Sequence, residues 1–134
     1  MTLTPITTGL ISDVTMQLLS NETVYYFSYL SAEGGCLSGA RQDYWIAITD
    51  KRILYKTKVM EKEEYVERNG ILPFEKVSFI EVSEAKQKDG CSSKISFQLR
   101  ISTSGGTVII PILTKEKGFE IRQVYSQLTH MLSV

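Results

Sequence analysis

Between Asp43 and Val59 the chain reads DYWIAITDKRILYKTKV, and its side chains alternate with a period of two. Tyr44, Ile46 and Ile48 alternate with Trp45, Ala47 and Thr49; after Asp50-Lys51, Ile53, Tyr55, Thr57 and Val59 alternate with Arg52, Leu54, Lys56 and Lys58. β-Branched and aromatic residues in that rhythm, broken once by a polar pair, predict two antiparallel strands joined by a tight turn. Upstream, Thr4-Pro5 suits a helix start, with Ile11, Val14 and Leu18 forming a stripe that Leu10 and Leu19 widen. Gly9 weakens the first turn, so the predicted helix runs over Leu10–Leu19 and ends at Ser20-Asn21. Glu22–Ser31 (ETVYYFSYLS) predicts a strand, and the glycine-rich AEGGCLSGARQ after it predicts a loop.

Beyond the hairpin, Glu63–Arg68 reads as a charged edge arm, with Asn69-Gly70 as a turn. ILPFEK predicts an irregular turn around Pro73, Val77–Ser83 a strand and EAKQKDGCSS a loop. Ile95, Phe97, Leu99 and Ile101 alternate strictly with Ser96, Gln98, Arg100 and Ser102, a half-buried strand. Ser104-Gly105-Gly106 turns it into Thr107–Leu113, where Pro111, which has no N–H, belongs at an edge. Thr114 caps a last helix with Glu116 near its positive end, and Ile121, Val124, Tyr125, Leu128 and Leu132 form one apolar face. The chain thus reads as one domain: a helical extension (1–20), a β-barrel (22–113) and a capping helix (114–132). Short antiparallel strands must hide their edges, and rolling into a small barrel whose mouth receives that apolar face does so.

Composition narrows the function classes. The 134 residues suffice for one core. Fifteen basic and fifteen acidic side chains cancel, whereas a polyanion binder carries a basic excess, so nucleic acid is not expected. The charge is uneven: every Lys and Arg lies from Arg41 onward, and Asp13, Glu22 and Glu33 are the charges before it. No apolar run approaches a membrane span, and MTLTPITTGLISDV lacks the basic start of a signal peptide, so a cytoplasmic protein, free or peripheral to a membrane, is expected. In that reducing setting Cys36 and Cys91 are expected as free thiols.

The phrase WIAITDKRILY, with an Asn-Glu strand start before it and ILPFEKVSFIEV after it, resembles the bacterial pleckstrin-homology (PH) domain group. Eukaryotic GRAM domains share its hydrophobic-Thr-x-x-Arg-hydrophobic hairpin, matched here by Thr49, Arg52, Ile53 and Leu54. The resemblance covers roughly residues 20–132. It implies a mostly β fold: a seven-stranded bent antiparallel barrel capped by a C-terminal α-helix, here with a short N-terminal helix. Members bind phosphoinositides, other lipids, peptides or proteins, and several bacterial ones resemble oligomeric rings.

In phosphoinositide-binding members, a Lys near the end of the first strand and a basic-x-Arg pair on the second meet the phosphates. Here neither ETVYYFSYLS nor YWIAIT carries a basic residue, and Arg41 is the one partial match. Lys56, Lys58 and Lys62 could approach the same open end, formed by residues 32–42, 58–63 and 102–106, but Glu61, Glu63 and Glu64 accompany them. A phosphorylated headgroup needs several convergent charge-assisted bonds, and this set falls short.

Catalysis is not expected either. His130 is the sole histidine and reads as a surface or half-buried helix residue; Cys36 has no basic partner nearby in sequence. No cluster has metal-ligand spacing, the glycines of AEGGCLSGA lack a phosphate-loop pattern, and EKEEYVE reads as a solvated edge. Tyr25, Tyr26, Phe27 and Tyr29 read as barrel wall. No cofactor, metal or catalytic residue is therefore assigned. The leading expectation is a non-enzymatic module binding a protein partner or copies of itself. The alternatives are anionic membrane lipid held by Arg41, Lys56, Lys58 and Lys62, and a small-ligand carrier.

Overall fold

The alternating hairpin forms as the sequence predicts, and its two strands become the centre of a four-stranded sheet. The fold is seen in a computed structural model that describes residues 3–33, 41–61, 64–88 and 93–132. After a one-turn helix, α1 (Ser12–Thr15), come β1 (Val24–Glu33), β2 (Arg41–Thr49), β3 (Arg52–Glu61), β4 (Glu64–Pro73), a 3-10 turn (Phe74–Lys76), β5 (Val77–Lys88), β6 (Ser93–Thr103), β7 (Gly106–Ile112) and α2 (Lys115–Leu132). The first four strands make one antiparallel sheet in chain order, and β5–β7 make a second.

Register decides which side chains go inward. Ser28 pairs with Ile46, and Ile48 with both Tyr26 and Ile53, so these positions share the inner face. Ile46, Ile48 and Ile53 there join Leu99, Ile101, Ile110 and Ile112 of the second sheet. From α2, the predicted stripe supplies Ile121, Val124 and Leu128, all buried, and Tyr125 at its margin; the Leu132 side chain lies outside the described residues. Thr114 Oγ1 accepts the Lys117 N–H at 3.2 Å, the expected cap. Gly118 lets the helix settle closely: a Cβ there would meet Val82 and Ile112 at 2.6 and 2.8 Å.

The outer face of the first sheet is apolar as well. Trp45, Ala47 and Leu54 are buried there with Val24 and Val14, under Ile6, Leu10, Ile11 and Leu18 of the N-terminal segment. That segment departs from expectation. Only Ser12–Thr15 is helical, in place of Leu10–Leu19, and Thr4-Pro5 starts no helix. Ile6 N–H instead donates to the Val24 carbonyl at 2.8 Å, tying the chain to the sheet. A short helix gains too few hydrogen bonds to offset its nucleation, and Ile11 at its N-cap offers no side-chain acceptor.

Two further differences concern turns. Asn69-Gly70 is not a turn but lies within β4, opposite Lys56 and Tyr55. The Tyr55 ring lies over Gly70 where a side chain would stand, so contact across the pair replaces the dipeptide's turn preference. The strand β5 also runs to Lys88, five residues beyond Ser83, because it stays paired with β6 through Lys88–Ser93. The glycine-rich loop with Cys36, and the Cys91 turn, lie outside the described residues. The barrel is open: among the described residues its two sheets share no backbone ladder. Across the gap, the buried Thr57 of β3 donates its hydroxyl to the Ile109 carbonyl of β7 at 2.8 Å.

Candidate functional site

The Thr-x-x-Arg motif proves to be a clasp. Thr49 Oγ1 accepts the N–H groups of Lys51 and Arg52, both at 3.0 Å, closing the β2–β3 turn, and donates to Glu22 Oε2 at 2.6 Å. Arg52 grips Glu22 with two parallel bonds, Nε to Oε2 and Nη2 to Oε1, each 2.9 Å, and Nη2 also reaches the Gln17 carbonyl at 2.7 Å. The Leu19 N–H fills the remaining acceptor site on Oε1 at 3.0 Å. The Glu22 side chain is wholly shielded from solvent. Burial works against its charge, but the bonds from Arg52, Thr49 and Leu19 outweigh that and hold its pKa below the ordinary carboxylate value. Asp50 completes the turn by exchanging bonds with Thr23, each 3.0 Å. These residues fix the N-terminal segment to the hairpin; they present no free charge to a ligand. The sequence reading found Thr49 and Arg52 but missed Glu22, whose signal was a lone carboxylate at the entrance to an uncharged strand.

The candidate anion-binding residues do not form one described cluster. Lys56 has only 14% of its side chain exposed, and its Nζ lies 3.3 Å from Glu67 Oε1. Arg41 opens β2 opposite Glu33, and Lys58 stands in β3 opposite Glu67. The side chains of Arg41 and Lys58, and all of Lys62, lie outside the described residues, as do residues 34–40 and 63 of the open end to which they were assigned. His130 is exposed near the end of α2. Among the described residues no three His, Cys, Asp or Glu side chains gather as a metal site.

A cleft instead opens along the seam between the sheets. Its volume is about 310 Å³, and it runs between Phe27–Leu30 of β1, Tyr44–Ile46 of β2, and Ile110–Leu113 with Lys117. The walls are close to evenly polar and apolar, with Ser28 on the β1 side and Lys117 of α2 on the other. Above it, the Tyr26 hydroxyl donates to Glu120 Oε2 at 3.2 Å, joining β1 to α2. Burial first, and then the Glu120 charge, push the Tyr26 phenol well above its ordinary pKa, so it stays a donor. Leu113 and Tyr29 stand at the rim, 67% and 49% exposed. The cleft was not legible in the sequence, because it is made where β1 and β7, 73 residues apart at their closest ends, become neighbours.

Two antiparallel sheets of four and three strands, with a C-terminal helix packed across them, define the class as a PH-like fold. The family model described as "Bacterial PH domain" matches residues 18–125, and the chain belongs to that family. No curated protein matches the chain. PH domains are in general interaction modules without catalytic activity. No helix among the described residues is long and apolar enough to cross a membrane.

Proposed function

We propose that this chain is a non-enzymatic interaction module that binds a protein partner or copies of itself. The observation that carries this reading is the state of Lys56. The one candidate lipid-binding cation whose side chain is described is mostly covered and paired with Glu67. A charge already compensated in this way offers little to a phosphorylated headgroup, and the chain as a whole is neutral. The seam cleft, partly open and small, suits a side chain or two better than the bulk of a carried ligand, which needs the enclosed interior of a larger barrel.

Two measurements on the intact chain test the reading together. Size-exclusion chromatography with light scattering across micromolar concentrations is expected to show self-association, or a monomer that co-purifies stoichiometrically with another protein. Flotation with phosphatidylserine vesicles at low salt is expected to leave the protein at the bottom of the gradient. Flotation that salt abolishes, and that is lost on neutralising Arg41, Lys56, Lys58 and Lys62 together, would overturn the proposal in favour of anionic lipid.

A further inference from the structure

Each sheet ends in two edge strands, and edges left open invite pairing with other chains. Three of the four carry deterrents. The edge strand β4 bears Glu64, Glu67 and Arg68; β5 bears Glu81, Glu84, Lys86 and Lys88. On β7, the Ile109 carbonyl points away from β6 to meet Thr57, so residue 111, two positions on, shares that outward orientation; it is a proline with no N–H to offer. The fourth edge is different. From Val24 to Ala32 the strand β1 carries no charged residue and no proline. Among the described residues, the Ile6–Val24 bond covers its first residue, and the strand stands last in its sheet. This undefended stretch borders the seam cleft.

We propose that β1 accepts an extended segment of a partner protein as an eighth strand, seating an apolar side chain in the cleft and a carboxylate against Lys117. The inference rests on the reading of the chain as a protein-interaction module and names its surface. A strand added to β1 sends every second side chain to the inner face, where Ser28, Tyr44, Ile46 and Ile110 wall the cleft. A volume of about 310 Å³ is at the small end of ligand pockets and suits one or two such side chains. Lys117 is the cation among the lining residues; its contact with Glu120 is long, 4.0 Å, with both side chains 46% exposed. It is thus placed to meet an acidic residue or a chain terminus. A lone segment fits better than a second copy, because a copy would bring β1 as part of its own sheet, with its inner-face side chains committed to its own core.

The test pans a phage-displayed random dodecapeptide library against the full chain, then measures enriched peptides by fluorescence polarisation and by amide chemical-shift mapping. Enriched peptides are expected to alternate apolar residues and to carry an acidic residue or a required C-terminal carboxylate. Shifts are expected in Tyr26–Leu30 and Ile109–Lys117. Lys117→Glu and Leu113→Asp, both at exposed positions that leave the fold intact, are expected to weaken binding at least tenfold. Unchanged affinity in both variants would overturn the proposal, as would binders without the acidic group. Binders that map to another face would overturn the β1 site yet leave the interaction-module reading standing. If no peptide enriches, or if light scattering shows a dimer that Tyr29→Lys dissolves, the peptide site is likewise overturned, and the broader reading is judged on the association experiments above.

Discussion

The two faces of the first sheet are both apolar and both covered, but by different means. On the inner face, an 18-residue helix with a capped start lays a continuous stripe, Ile121, Val124 and Leu128, over the opposing sheet. On the outer face the cover is an irregular segment with a single helical turn. It buries one residue fully, Val14, and is fastened at its end by the Glu22–Arg52–Gln17 bonds. One cover adheres through area; the other combines a thin apolar layer with a polar fastener. The difference teaches that a buried ion pair can hold a segment that forms no more than one uncapped helical turn.

Replacing residues in each cover should separate the two modes. The largest effect is expected for Leu128→Ala, which leaves a void in the inner core and should cost about 2–5 kcal/mol in a urea melt. A change below about 0.5 kcal/mol would place that side chain at the surface. Next, Glu22→Gln keeps the shape but removes the charge-assisted bonds, and should cost about 2 kcal/mol at neutral pH.

Its pH dependence has a definite sign. Because the folded pKa of Glu22 lies below the ordinary 4.5, the unfolded chain takes up the proton first. The contribution is therefore complete above that value and is lost as pH falls through it toward the lower folded value. The gap between wild type and Glu22→Gln should narrow over this acid range; a constant gap would mean that the charge contributes nothing. The smallest effect is expected for Val14→Ala, about 1.5 kcal/mol for the lost methyl groups. It should raise hydrogen exchange in the N-terminal segment while leaving α2 protected. Equal loosening of both covers would mean that the two are held in the same way.

The same contrast explains what could be read from the letters. The β2–β3 hairpin and α2 were legible because their patterns repeat at 2 and near 3.6 residues over several turns; burial follows the repeat in α2, whereas in β2 both alternating sets, Tyr44 to Thr49, are buried. The N-terminal stripe Ile11, Val14 and Leu18 was just as periodic, yet these side chains are brought onto Trp45 and Leu54 by an irregular path. Asn69-Gly70 carries a strong local signal that a contact with Tyr55, fifteen residues from Gly70, overrides. The clasp joins Glu22 to Arg52 across thirty positions, a distance at which no local pattern operates. For the site, composition weakened the case for a lipid-binding bowl, but it could not show that Lys56 is engaged or that β1 ends its sheet. Those facts arise only from strand order and register.

The clasp also extends the packed unit upstream of the matched stretch. Family resemblance starts at residue 18, but Ile6, Leu10, Ile11 and Val14 roof Trp45, Ala47 and Leu54. An expression boundary drawn at the matched stretch would strip that roof and leave an indole and a leucine bare on the sheet's broad side. Its product would tend to clump for reasons unrelated to any partner, and such clumping would imitate the very self-association being sought. Truncations of this domain should retain the residues from Leu3 onward.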